Sequence, residues 1–354
     1  VRLGAEVSSI LVDETPLPAD TVSASALAVQ AMGGEASAPV RRRARGVRLA
    51  SGEELTADVV VANPDLPYVY ESLLGGQYEG VEEESKAISE GLDFSCGMIE
   101  FCWALKEPMP ELAQHNVFLG NDYVESWSRP ASVEDLKTRH SFNFYVHRPS
   151  FTDPSCAPAG EDNIMVEFPI ANARERAEAA KVAADVRGSA VKLPEEQALV
   201  DAAREAVFRQ FERMGYCKRA ADGKMQSMIK GERVVTPSEW EQRYNLKHGA
   251  VFGLSHGLSQ LACFRPPRQT GVPGLDNQQV EGLHFVGAST RPGNGVPLVL
   301  MGVANTFETI IAEQGVGREP SPLPLKPMAL DVAGPTVPRL PPPASPEAAA
   351  VPVP

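Results

Sequence analysis

The chain of 354 residues lacks any run near the roughly 18 consecutive apolar residues that a membrane-spanning helix requires; its densest apolar stretch, Leu298 to Ala304, is far shorter. It is therefore not expected to cross a bilayer. Its five cysteines, at 96, 102, 156, 217 and 263, are odd in number and form no Cys-x-x-Cys pair. Neither a disulfide framework nor a zinc cage is written here, no metal site is expected, and a reducing compartment suits the chain. Basic charge is also short: 33 Lys and Arg against 46 Asp and Glu give −13, and no basic run exceeds Arg41-Arg42-Arg43. That balance argues against a nucleic-acid partner held by phosphate neutralisation. The sequence opens at Val1 without a charged-then-apolar leader, so no signal peptide is read from it.

What is present suits two domains or one large α/β domain, since 38.0 kDa buries a sizeable core. Residues 4–12, 46–50 and 57–62 are short β-branched runs, the last two flanking a turn at Ser51-Gly52, and predict a three-stranded antiparallel meander. Between them, Glu14 to Arg45 is rich in Ala, Ser, Pro and Gly and reads as a solvated insertion. Strand-like runs follow at 97–105, 116–119, 141–147 and 163–170, separated by Pro108, Pro110, Pro149 and Pro154, and predict an antiparallel or mixed sheet. Residues 174–214 turn helical, with Pro194 at a first helical position and Leu199, Ala202, Ala203, Val207, Phe208 and Phe211 on one face. Thr236-Pro237-Ser238-Glu239 has the form of a capping box opening a helix through Tyr244. Glu82-Glu83-Glu84 reads as a solvated helix face. The segment 317–354 holds 12 of the 31 prolines in 38 residues, which sustains neither helix nor sheet; it is an inert polyproline-like end or, alternatively, a ligand for an SH3-type partner.

The most informative stretch is a strand at Leu283-His284-Phe285-Val286, a loop from Gly287 to Pro297, and an amphipathic helix carrying Leu298, Leu300, Met301, Ala304, Phe307, Ile310 and Ile311. Glycines at 287, 293 and 295 let backbone approach a ligand and adopt positive φ, and the loop amides with the positive end of the helix favour negative charge. A tight turn that merely packs a helix on a sheet would use the same residue types.

Gly287, Ala288, Ser289, Thr290, Pro292, Gly293, Gly295, Val296 and Pro297 closely resemble the C-terminal flavin loop of bacterial- and fungal-type phytoene desaturases. Arg291 stands where that loop most often has His, and Asn294 where it has a small residue. Val7, the strand and Asn-x-Asp turn from Ala57 to Asp65, and the blocks Ser95–Leu105, Phe144–Ser150 and Thr236–Pro266 resemble further blocks in family order. The resemblance implies an α/β, Rossmann-like FAD/NAD(P)-binding flavoprotein fold of the amine-oxidase and glutathione-reductase type, with a mixed-sheet and helix substrate domain. It divides the chain into part of an FAD-binding domain at 1–75 with a low-complexity insertion at 14–45, a substrate-binding and membrane-associating domain at 76–245, a return to the FAD-binding domain at 246–316, and the tail at 317–354. The Gly-x-Gly-x-x-Gly that opens such folds is found nowhere in this chain, so its N-terminal half is expected to be incomplete.

By the same resemblance the cofactor is FAD, with Val7, Asn63 and the loop residues Gly287, Ala288, Ser289, Thr290, Arg291, Pro292, Gly293, Gly295, Val296 and Pro297 on it. The expected activity is dehydrogenation of phytoene or a related long polyene drawn from a peripheral membrane surface; the alternatives are a carotenoid isomerase, ketolase or saturase, or an inactive fragment. The expected location is intracellular, on a plastid or endomembrane surface in a eukaryote, and a homo-oligomer is compatible with it. Trp103, Tyr145, His256 and Arg265 are candidate substrate- or flavin-lining residues, each weighed against a plain core or ion-pair role. No catalytic acid or base is assigned.

Overall fold

The computed structural model describes residues 1–17, 40–187, 196–218, 220, 222–270 and 279–315. The proline-rich tail, Pro194 and the middle of the expected insertion lie outside these residues.

Strand β1 (Val7–Pro16) pairs antiparallel with β2 (Val40–Leu49), which also pairs antiparallel with β3 (Glu54–Thr56). A three-stranded antiparallel unit exists, but its third strand is not the apolar run at 57–62. That run supplies β4 (Val60–Ala62), which pairs in parallel with β11 (Leu283–Phe285), while β10 (Val280–Glu281) joins β2 in parallel. The expected insertion is shortened at both ends, because β1 runs to Pro16 and β2 begins at Val40. The basic run lies in β2: Arg41 pairs with Glu281 at 2.6 Å, Arg42 with Glu14 at 2.6 Å, and Arg45 with Asp13 and Glu54 at 3.0 Å each. Carboxylates on neighbouring strands turn what looked like solvated loop charge into cross-strand pairs.

Helix α1 (Val81–Gly91) corrects another expectation. Glu82 and Glu83 face solvent, but Glu84 is 0% exposed, sharing a core with Tyr70, Tyr78, Val81 and Ile88.

The second large unit is a five-stranded antiparallel sheet in the order β6 (His115–Phe118), β7 (Phe144–His147), β8 (Asp162–Ile170), β5 (Gly97–Leu105), β9 (Ile229–Val235). Alternation decides its two faces. Ile99, Phe101, Trp103 and Leu105 of β5 and Ile164, Val166, Phe168 and Ile170 of β8 are buried in one cluster with Leu199, Ala203, Val207, Phe208 and Phe211. Those last five lie on α3 (Glu196–Arg213), which follows α2 (Ala173–Arg187) and presents the expected apolar face. Strand β9, with charged residues at 230, 232 and 233, has no apolar signature, yet it pairs with β5 from Val235 opposite Glu100 to Ile229 opposite Leu105. Helix α4 (Pro237–Tyr244) starts and stops as expected, Thr236 accepting a 3.3 Å bond from the Glu239 amide. The reciprocal half of the box is replaced, because the Glu239 carboxylate is engaged by Arg233 and Arg243.

Candidate functional site: a glycine loop tied to three distant segments

The loop after β11 leads into α5 (Val296–Glu313), which has Pro297 in its first turn and no side-chain cap. The left-handed backbone at two positions is needed for close approach. Gly287 has φ 100°, and a Cβ there would lie 2.6 Å from Asn63 Oδ1; Gly293 has φ 145°, and a Cβ there would lie 3.1 Å from His256 Nε2. Gly295, by contrast, faces open space, and a Cβ there would meet nothing within 4 Å.

The loop is held by segments far away in sequence. From the turn after β4, Asn63 meets Gly287, and the Asp65 carboxylate accepts a hydrogen bond from the Ser289 hydroxyl and a 3.1 Å bond from the Lys247 amide. Burial pushes the Asp65 carboxyl above its usual range, opposed by the Ser289 and backbone donors and by the charge of Arg265. From a second segment, His256 Nε2 accepts a 3.2 Å bond from the Asn294 amide. Accepting there places the ring proton on Nδ1, and burial followed by the charge of Arg265 holds the imidazole below its ordinary pKa, in the neutral form.

Arg265 is the clamp between these pieces. It is 0% exposed, and it donates only to backbone carbonyls: Nε to Ala288 at 2.8 Å, one terminal nitrogen to Ser255 at 2.9 Å and Gln260 at 3.2 Å, and the other to Leu254 at 2.9 Å. Burial lowers its pKa to about 10, and nearby Asp65 opposes that shift. Arg265 is neither a lining cation nor half of a direct ion pair: four carbonyl oxygens enclose its guanidinium.

The other candidates fall in different places. Arg291 is half-buried, its Nε donating to the Arg265 carbonyl at 2.8 Å and its amide to that of Pro266 at 3.1 Å. Thr290 is buried with no partner for its hydroxyl, and Val296 is 74% exposed. Pro292 packs beneath Gly302 of α5, where a Cβ would lie 3.4 Å from the proline ring. Val7 sits in β1 opposite Leu49 and packs on the core of Tyr70 and Phe285 rather than on the loop. Trp103 lies in the core: it is 1% exposed, stacks on Phe101 at 5.2 Å, and donates from Nε1 to Glu232 at 2.6 Å. Tyr145 lies on the opposite, more open face of the same sheet, beside Glu167 and with its hydroxyl 2.5 Å from His115 Nδ1.

Helix α5 exposes Val296, Leu300, Met301, Val303 and Phe307 and buries only Gly302 and Thr306. At 18 residues and a mean hydropathy of 1.3 it is long and apolar enough to cross a membrane by length and composition. The apolar stretch ending at Ala304 underestimated it, because Asn305 and Thr306 interrupt the run but not the helix.

For FAD, the residues at the loop fit: glycines whose side-chain space is taken by Asn63 and His256, an open lip at Gly295, and the uncapped positive end of α5. These elements make the chain an α/β protein of mixed sheets with a strand, glycine-loop and helix site. The chain is 35% identical over 274 residues to the phytoene desaturase of Neurospora crassa, covering 77% of this chain and 41% of that protein. It is 34% identical over 280 residues to that of Phycomyces blakesleeanus, with coverage of 79% and 43%. To the zeta-carotene-forming phytoene desaturase of Myxococcus xanthus it is 32% identical over 294 residues, with coverage of 80% and 49%. The chain is thus similar to phytoene desaturases of two fungi and a bacterium, and it spans less than half the length of these curated relatives. No protein-family model matches it. Among solved structures, an oxidoreductase from Methanosarcina mazei aligns over 86% of this chain and 49% of that one, at 15% identity and a TM-score of 0.44.

Proposed function

We propose that the protein is an FAD-dependent oxidoreductase that dehydrogenates phytoene or a related long polyene. The observation that carries this reading is the 35% identity over 274 residues with a phytoene desaturase, supported by a glycine loop whose base is fixed and whose lip is open. Bound FAD would supply the hydride acceptor, the step that no amino-acid side chain provides. The chain's own residues do the positioning. Asn63, Asp65 and Arg265 hold the loop base, and His256, with Nε2 occupied by the Asn294 amide, fixes the lip and leaves no free lone pair there to act as a base. Exposed Leu119, Tyr123, Val124 and Trp127, at 63 to 79% exposure, support contact with a membrane interface, where aromatic side chains settle.

The test is flavin retention and product analysis with the protein expressed from its whole reading frame. Gly293→Val introduces a β-branched side chain at φ 145° against His256, so the variant should lose flavin absorbance while keeping its circular dichroism. Full retention by the folded variant would remove the loop from the cofactor site. Chromatography of carotenoid products separates a desaturase from an isomerase, ketolase or saturase on the same fold.

A further inference from the structure

A small cavity lies on the far side of the glycine loop's arginine, between β11, the segment Pro266–Thr270 and α5. The segment runs beside β11, Phe285 donating to the Arg268 carbonyl at 2.7 Å and Gln269 bridging to His284. Arg268, Gln269, His284, Arg291, Thr306 and Thr309 line the cavity, whose volume is about 140 Å³. At ~30 Å³ per molecule in the liquid, that is room for a few waters or one tetrahedral oxyanion.

Its polar inventory leans to donors, with His284 the exception: Nε2 lies 3.1 Å from the Glu313 carboxylate and carries the ring proton, which leaves Nδ1 as an acceptor. His284 is 1% exposed and Thr306 is 2% exposed, and His284 Nδ1, Thr306 Oγ1 and Arg268 Nε have no hydrogen-bond partner. Glu313 is already engaged, its carboxylate 3.1 Å from His284 Nε2 and accepting from Gln269 at 2.5 Å. Arg268, with its Nε unpartnered, and Arg291, whose Nε is engaged by the Arg265 carbonyl, both line one pocket beside a buried hydroxyl that is free to donate. Unpaired buried donors are costly and like charges repel, and an anion with several acceptor oxygens relieves both.

We propose that this cavity is a binding site for a small oxyanion of the size of inorganic phosphate, held by Arg268 and Arg291 with the Thr306 hydroxyl donating. The site shares Arg291 with the glycine loop, so its test is carried by Arg268 and Thr306, which lie outside that loop. The oxyanion is either free in solution or carried on a lipid headgroup.

The experiment is thermal unfolding and calorimetric titration of the purified protein with sodium phosphate against sodium chloride at matched ionic strength. A saturable rise in midpoint specific to phosphate is expected. Arg268→Met should weaken phosphate binding by about tenfold or more, the loss of one charge-assisted bond, and Thr306→Val, which keeps the side-chain shape, should weaken it with unchanged circular dichroism. Flotation with vesicles of phosphatidylcholine with and without phosphatidic acid separates the two sources: capture that depends on phosphatidic acid and is lost in both variants assigns the lipid, and a phosphate response without capture assigns the free ion. The proposal is overturned if phosphate acts no differently from chloride and no vesicle capture occurs, or if the response survives in the Arg268→Met and Thr306→Val double variant.

Discussion

Glu84 offers the sharpest physical test of the structure. It stands in the first turn of α1, fully buried, and accepts a 3.2 Å bond from the Tyr78 hydroxyl. The Arg42 guanidinium lies 4.9 Å over the Tyr78 ring but is paired with Glu14 at 2.6 Å. Burial raises the Glu84 pKa from 4.5 to about 7, against the opposing effects of the Tyr78 bond, the Arg42 charge and the Tyr70 bond. The folded protein therefore holds a proton that the unfolded chain releases, and the sign follows. The stabilisation is fully present below about pH 4.5 and is lost as pH rises through about 7.

At ~1.4 kcal/mol per pH unit, the gap between those two values sets a ceiling of about 3 kcal/mol. Glu84→Gln removes the titration and keeps an oxygen for the Tyr78 hydroxyl, imitating the protonated acid at every pH. Urea unfolding followed by circular dichroism at pH 5, 6.5 and 8 should give similar stabilities for the two proteins at the lowest pH. At the highest pH the variant should be ahead by up to about 3 kcal/mol. A difference that does not change with pH would show that Glu84 is ionised in the folded protein and that its burial has been misread.

Arg265→Met should destabilise the protein by at least about 3 kcal/mol, because four carbonyl oxygens lose a charged donor together; a denaturation midpoint within error of the parent would contradict the clamp. Gly287→Ala forces a Cβ to 2.6 Å from Asn63 Oδ1 at φ 100°, so a loss of about 1–3 kcal/mol is expected, and double substitution with Asn63→Ala should recover part of it. Trp103→Phe removes the 2.6 Å bond to Glu232, lowering stability by about 1–2 kcal/mol without altering flavin retention; a selective loss of flavin would return Trp103 to the cofactor or substrate surface.

What the sequence made legible was whatever repeats at a fixed period or uses a restricted residue type. The strands at 97–105 and 163–170 alternate, and they stand within one residue of their observed limits. The helix from Pro237 to Tyr244 is framed by a capping threonine and by Asn245 at φ 55°, both local effects. Ile229–Val235 was invisible because an edge strand is better protected by charge than by alternation, and Lys230 and Arg233 bind partners outside the strand. Arg41 to Arg43 misled for the converse reason: a cationic run is loop-like until carboxylates from two other strands stand opposite it. Glu84 was hidden by its like-charged neighbours, although the helical period keeps three successive glutamates from sharing one solvated face.

The glycine loop could be recognised from its own residues, but the way it is held could not. Its partners Asn63, Asp65, His256 and Arg265 come from three segments, and Arg265 acts on carbonyl oxygens, which every residue carries and no pattern marks. A loop tied this way is fixed at its base by buried, charge-assisted bonds, which resist opening far more than surface contacts do. Its lip differs: beyond the Asn294 amide, Gly295 has empty space beside it and Val296 is 74% exposed. Rigid backbone below and unfilled space above mean that a ligand arriving at the lip meets amides already in position, so little ordering remains to be done on binding. The same bonds explain why Arg265, which does not line the lip, should govern whether the loop can hold anything there: without it, Ala288 and the 254–260 segment lose their shared donor, and the base loosens first.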